Sequence, residues 1–256
     1  MKTKLLFLGC GSSIGVPTIV GYWGNCKKNN KKNIRTRSSV IIFKGANSIL
    51  IDTSPDLRNQ LLSNNIKNIS SVILTHEHAD QINGLFELRP FFWKYKKKIN
   101  IYGDRRTINL VRKRDDYLFK KISTYPPIVK SNIIKSRFSL GKKNEKVFFK
   151  SNKVKHGEIK SLALIFEKTA YISDTNDLTI TKMKELENLK YLIIDCLKFK
   201  KHPTHFNLNE SLYVHQSLKP KTTILTNLHH DLDYNYLLKI LPSDVIPAYD
   251  GLRINL

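Results

Sequence analysis

Cysteine is scarce in this chain of 256 residues: Cys10, Cys26 and Cys196 are all there is. They are odd in number, far apart and form no CxxC pair, which excludes a disulfide framework and suits a reducing compartment. Each is expected to be a buried or idle thiol. No apolar run approaches the ~20 residues that a membrane-spanning helix needs. Met1-Lys-Thr-Lys-Leu-Leu-Phe-Leu-Gly9 starts basic, but its apolar run is shorter than the ~7–15 residues of a signal peptide. It also runs into a glycine-rich turn. A buried first strand and a cytoplasmic protein are the expectation.

Acidic residues are scarce too, 21 against 44 Lys and Arg, for a net charge of +23. Such an excess attracts polyanions by counterion release, which brings nucleic acid in as a partner. Against that, Lys, Asn and Ile are enriched throughout, as in Lys27–Asn33 and Ser63–Ile69, which is the pattern of a compositional bias. The basic aromatic stretch Phe92–Lys98 suits phosphate contact and base stacking, and it equally suits a solvated rim.

What is present is enough apolar material, 41% of residues, for one sizeable core. No repeat or linker divides the chain, so one domain over 1–256 is expected. Thr3–Leu8 reads as a strand, Arg37–Lys44 and Ser48–Asp52 as a hairpin, and Pro55–Asn64 as a helix with Ser54 as N-cap and Pro55 at N1. Strands follow at Ser70–Leu74, Ile99–Tyr102, Val147–Lys155, Ser161–Glu167, Ala170–Ile172, Tyr191–Asp195, Thr222–Thr226 and Leu252–Asn255. Helices are read at Ile180–Leu189, Leu208–Leu218 with Asn207 as N-cap, and Tyr234–Leu241. Arg105–Lys146 is the least legible part, basic and partly helical. Interleaved helices with frequent hairpins imply mixed sheets with helices packed outside.

The sharpest motif is Thr75-His76-Glu77-His78-Ala79-Asp80, directly after the apolar run Ser71–Leu74. If extended backbone continues, alternate side chains point the same way, and His76, His78 and Asp80 converge. Two imidazoles and a carboxylate suit Zn²⁺, and also Mn²⁺ or Fe²⁺. Asp80 has a second candidate role as a helix cap. Three further candidate ligands end later apolar runs: His156 before Gly157, Asp174 after Ala170–Ser173, and His229 after Thr222–Leu228. Singly each is weak, but a sheet delivers its strand ends to one edge, where separate ends supply one site.

This succession, Thr-His-x-His-x-Asp, His-Gly, Ser-Asp-Thr and Thr-Asn-x-His, resembles the metal motifs of the metallo-β-lactamase superfamily, from the first strand to the last. Gly9–Pro17, Ile51–Arg58 and Ala248–Gly251 look like the branch of the phosphoribosyl cyclic phosphodiesterase of phosphonate breakdown, which sits near the tRNA 3′-processing endonucleases. The resemblance implies an α/β fold, a four-layer αβ/βα sandwich of two mixed β-sheets with outer helices and a metal site at one edge. It implies two divalent ions, Zn²⁺ or Mn²⁺: one on His76, His78 and His156, the second on Asp80 and His229, with Asp174 bridging and a water or hydroxide between the ions as nucleophile. His230 stays open as an alternative to His229. Asp80 and His205 are the implied catalytic residues, His205 facing the phosphate, with His202 as its alternative. Arg58, Arg89 and Lys94 are candidate substrate contacts.

The chain departs from the family in three places. Gln81 stands where the superfamily has a histidine, which implies a weaker second site or a harder ion. Gly21–Cys26 carries one cysteine where the cyclic phosphodiesterase has a cluster, so no structural zinc is expected. The short pair of strands between His156 and Asp174 leaves no room for the basic arm of the tRNA endonucleases. The expected function is a metal-dependent phosphodiesterase acting on a small ribosyl or nucleotide phosphate ester, cyclic esters included. The alternatives are an RNA-end nuclease, with nucleic acid as the less favoured partner, and a non-catalytic metal- or nucleotide-binding module. No membrane partner is expected, and a homodimer is an allowed assembly.

Overall fold

The computed structural model describes residues 2–178 and 184–256. Two seven-stranded mixed sheets form its middle. The first has the order β14-β1-β2-β3-β4-β5-β6, where β1 is Lys4–Gly9, β2 Ser39–Lys44, β3 Asn47–Ile51, β4 Ser71–Ile73, β5 Ile99–Gly103, β6 Val129–Ile133 and β14 Arg253–Asn255. The second has the order β13-β12-β11-β10-β9-β8-β7, where β7 is Arg137–Leu140, β8 Val147–His156, β9 Ile159–Phe166, β10 Thr169–Ile172, β11 Tyr191–Asp195, β12 Thr222–Thr226 and β13 Val245–Pro247. This is the expected sandwich of two mixed sheets.

The side-chain period of two makes the layers. In β1, Leu5 and Phe7 face the second sheet and join Leu162, Leu164, Phe166, Tyr171 and Ile193 in the central core. Leu6 and Leu8 point the other way, against Leu57 and Leu61 of α1 (Leu57–Ser63) and Ile108 and Val111 of α4 (Arg105–Arg114). On the far side, Ala163, Ile172, Leu192, Ile194 and Leu225 pack on Leu208 and Val214 of α5 (Leu208–Leu218) and Leu237 of α6 (Tyr234–Ile240). Strands buried on both faces read as unbroken apolar runs, which is why β1, β2, β3 and β11 were visible in the sequence. Two shorter helices, α2 (Ala79–Ile82) and α3 (Arg89–Tyr95), follow β4. No helix among the described residues is long and apolar enough to cross a membrane.

Several local expectations shift. The first helix starts at Leu57 rather than Pro55, with Asp56 and not Ser54 at its N-cap. The Ser54 hydroxyl accepts from the Asp56 amide and donates to Gln60 Oε1, while Asp56 is held by Arg37 at 2.8 Å. The turn is thus fixed in part by Arg37, nineteen residues away from Asp56 and beyond the reach of a local capping rule. The helix expected over Ile180–Leu189 lies in part outside the described residues, and its described part holds a 3-10 turn at Lys184–Leu186. The illegible stretch contains α4, β6 and β7. β13 was not anticipated: it is only three residues long and follows a helix without a clear apolar run.

Candidate metal centre

Parallel pairing of β3 with β4, of β10 with β11 and of β11 with β12 points successive strand ends the same way. Asp52, Thr75 and His76 leave the first sheet, and His156, Asp174, Asp195 and Asn227 lie at strand ends of the second. The amide of Leu162 donates to the Thr75 carbonyl at 3.2 Å and ties the two rims together.

Three imidazoles meet there. His76 Nε2 and His156 Nε2 each lie 3.1 Å from His78 Nδ1. Their other nitrogens are held from behind. Thr75 Oγ1 donates to Asp52 Oδ2 at 2.9 Å, so it accepts from His76 Nδ1 at 3.0 Å. His156 Nδ1 donates to the Thr204 carbonyl at 2.7 Å. These partners select the tautomers that leave both Nε2 lone pairs aimed at His78. A proton on His78 Nδ1 satisfies one of them at most, whereas one cation facing all three nitrogens satisfies them all. Zn–N bonds of ~2.0–2.1 Å in tetrahedral geometry put nitrogens ~3.3–3.4 Å apart, close to the spacing here. His76 is fully buried, and burial lowers its pKa to about 3 despite the opposing charge of Asp174, so the ring is a neutral donor. His78 is exposed and opens the cluster to solvent.

Beside the imidazoles lies a carboxylate pair. Burial, then repulsion from Asp174, raises Asp80 to about 6. Burial would raise Asp174 as well, but His76, His205 and His156 around it hold it below the usual carboxylate range. Asp174 Oδ2 is buried without a hydrogen-bond partner, and so is Gln81 Oε1. Gln81 Nε2 donates to Asp80 Oδ2 at 3.1 Å. Unpartnered buried oxygens are costly, and a cation beside them removes that cost. The donor set therefore fits divalent metal: nitrogen-rich at His76, His78 and His156, and oxygen-rich at Asp80, Asp174 and Gln81.

His205 completes the group. Its Nδ1 lies 2.8 Å from Asp195 Oδ2 and 3.9 Å from Asp174 Oδ1, with its ring centroid 4.7 Å from that of His156. Burial alone would lower its pKa, but Asp195, then Asp174 and Asp80, outweigh that and raise it to about 9. His202, the alternative, stands 5.3 Å away from it by ring centroids, with its Nδ1 3.1 Å from Thr204 Oγ1.

His229 makes its described contacts with its neighbours in sequence: its Nδ1 lies 3.4 Å from Asp231 Oδ2, its ring centroid lies 3.6 Å from that of His230, and the two histidines form a further donor group with Asp231. The residue from that strand end that reaches the carboxylates is Asn227, whose Nδ2 donates to Asp195 Oδ1 at 3.1 Å and Asp174 Oδ1 at 3.4 Å. Asn227 has φ 62°, and this left-handed turn sends the chain on past the cluster. Among the candidate substrate contacts, Arg58 is exposed on α1, Arg89 stands among aromatic rings, and Lys94 lies over the Tyr95 ring. None of the three makes a hydrogen bond or ion pair to the cluster among the described residues.

Sequence reasoning passed over Asp52, Thr75, Asp195 and Asn227. A signal existed for two of them. Asp52 and Asp195 each close an apolar strand just as Asp174 does, and a carboxylate ending a buried run needs a reason.

The comparisons agree with this geometry. The family model described as a beta-lactamase superfamily domain matches residues 47–229, well over half of the chain. A crystal structure of a diphosphatase from the PhnP family superposes with TM-score 0.91 at 30% identity, over all of this chain and 98% of that one. Zinc-bound PqqB from Methylobacterium extorquens matches with TM-score 0.79 at 17% identity, over 99% of this chain and 100% of that one, a likeness of fold alone. An octanoyltransferase from Porphyromonas gingivalis is 30% identical over 255 residues, which cover 98% of this chain and 51% of that protein. The chain thus spans about half the length of the curated relative it matches. The matched family model and the full-length similarity converge on one assignment: the chain belongs to the metallo-β-lactamase superfamily, in its PhnP-family branch.

Proposed function

We propose that this protein is a metal-dependent phosphohydrolase that cleaves a phosphodiester or diphosphate bond in a small ribosyl or nucleotide substrate. The observation that carries the reading is the placement of His205, held by Asp195 at 2.8 Å and grouped with His156 and Asp174, next to the three imidazoles of His76, His78 and His156. The PhnP-family diphosphatase supports the same class of bond.

Divalent metal held by His76, His78, His156 and Asp174, and a harder ion on the oxygen-rich side at Asp80 and Gln81, would supply Lewis acidity and lower the pKa of water. The chain's own residues do the rest. Asp52 acts through Thr75 to fix the tautomer of His76. The Thr204 carbonyl fixes that of His156. Asp195 holds His205 through Nδ1, leaving Nε2–H to neutralise a phosphate oxygen and to protonate the departing one. Asn227 donates to both Asp174 and Asp195 and keeps the two carboxylates apart. The octanoyltransferase has about as much chain again outside the matched part, and nothing in the cluster calls for acyl transfer.

The test is turnover of bis-p-nitrophenyl phosphate and of a nucleoside diphosphate, with and without added Zn²⁺ or Mn²⁺, alongside metal content. Metal-dependent turnover that His76→Ala abolishes supports the reading. Metal bound with no turnover of either substrate under any ion would move the protein to a non-catalytic binding module.

A further inference from the structure

The basic charge is not spread evenly over the fold. Residues 86–125 carry twelve Lys or Arg against four Asp or Glu. Three of those acids are occupied locally: Asp104 caps α4 and pairs with Lys153, Asp115 pairs with Arg114, and Asp116 pairs with Lys120. The fourth, Glu87, is half-buried on the 3-10 turn Leu85–Leu88 that precedes α3. In the middle of this segment the guanidinium of Arg89 lies 4.8 Å from the Phe86 ring centroid, 5.9 Å from Trp93, 6.0 Å from Tyr117 and 5.9 Å from Tyr125. All four distances fall within cation–π range. No ion pair uses Arg89 among the described residues.

The rings stay wet. Trp93 is 52% exposed, Phe86 48%, Tyr125 60% and Tyr117 37%. Four half-exposed rings around one cation exceed what a structural staple needs, because a staple works by burying its rings. A cleft of about 410 Å³ adjoins this face, lined by Phe86, Tyr117 and the Arg114–Asp115 pair together with Ile82 at the end of α2, the helix that carries Asp80. Exposed aromatic faces interleaved with phosphate-binding cations are the physical requirement for sequence-tolerant binding of an unpaired strand: each base offers a π-face, and each linkage offers a charge.

We infer that the face formed by Phe86, Arg89, Trp93, Tyr117 and Tyr125 binds single-stranded polynucleotide, stacking bases on the exposed rings and holding a phosphate at Arg89. The inference does not depend on the hydrolytic reading. It rests on charge and ring geometry outside the donor cluster, and it can be tested in a protein whose cluster is disabled.

Trp93 reports directly, because Trp23 is the only other tryptophan in the chain. In a Trp23→Phe, His76→Ala protein, a twelve-residue oligouridylate should quench the emission of Trp93 saturably, and more weakly as salt rises. Adding Phe86→Ala and Tyr125→Ala should weaken binding by roughly tenfold or more. Both are exposed, so an unchanged melting temperature shows that the fold survives. Arg89→Ala should reduce the salt dependence. Inorganic polyphosphate should bind without quenching and should be indifferent to loss of the rings. Equal affinity for oligouridylate with and without the rings would reduce the face to plain electrostatics and overturn the inference. Uridine monophosphate quenching at the same concentration would overturn it too, in favour of a mononucleotide pocket. Unchanged Trp93 emission on saturation would exclude stacking there.

Discussion

At the residue scale, the candidate cation ligands are distinct from the residues proposed to handle a proton, and substitution should separate them. Asp195→Asn keeps the shape of the contact to His205 but removes the charge that raises its pKa. Turnover is expected to fall by about 10²–10⁴, the range for loss of a general acid, with metal content unchanged. Loss of metal along with activity would instead make Asp195 part of the cation site. A second carboxylate carries a pH signature away from the cluster. Asp250 accepts from the Cys10 amide and from the Thr36 amide and hydroxyl, yet burial outweighs these bonds and raises it to about 6. The ordinary aspartate value is about 3.9, so the folded chain binds this proton more tightly than the unfolded one. The stability from that difference is complete below about pH 4 and is lost as pH rises through about 6. Two units correspond to about 3 kcal/mol as an upper bound. Denaturant titrations at pH 4 and pH 7 should show wild type losing more stability than Asp250→Asn over that interval, and parallel losses would contradict it.

At the scale of elements, α5 shows how a local signal and a functional position share residues. Asn207 accepts from the Glu210 amide while Glu210 accepts from the Asn207 amide, a complete capping box. Ser211, one turn on, donates to the Asp195 carbonyl, and His205 lies two residues before the cap. Asn207→Ala is expected to cost about 1 kcal/mol, in the usual range for a lost cap, read as a shift in the unfolding midpoint. Because the cap anchors the segment that carries His205, turnover should fall with it while metal content holds. A stability loss with unchanged turnover would mean that His205 is positioned by Asp195 alone. The capping box was legible as Asn-x-x-Glu before an apolar run. The start of α1 was not, because Arg37 holds Asp56 from nineteen residues away.

For the whole molecule, the candidate cation site joins the two halves of the sandwich: His76, His78 and Asp80 belong to the first sheet's edge, and His156 and Asp174 to the second's. Metal that binds only the folded chain stabilises it by RT ln(1 + [L]/Kd), about 2.7 kcal/mol at a hundredfold excess over Kd. Chelation should therefore lower the melting temperature of wild type measurably and leave His76→Ala unmoved, since its site is already lost. An unshifted wild type would mean that the imidazole cluster holds no stabilising ion. Thr-His-x-His-x-Asp, the His-Gly and the Ser-Asp-Thr were readable because each donor closes an apolar run, and strand ends follow from hydrophobic pattern. So did the layers, since strands buried on both faces cannot hide their composition. The side chain that the last strand end would send to the cluster was not readable. His229, His230 and Asn227 lie within four residues of each other; in the fold the Asn227 amide donates to Asp174, and both histidines lie beside Asp231. The partners behind the donors, Asp52 through Thr75, Asp195 on His205 and the aromatic ring around Arg89, were decided by the tertiary structure alone. Each such contact joins residues that local patterning cannot relate, and only the packing of the two sheets and their loops brings them within hydrogen-bond or stacking distance.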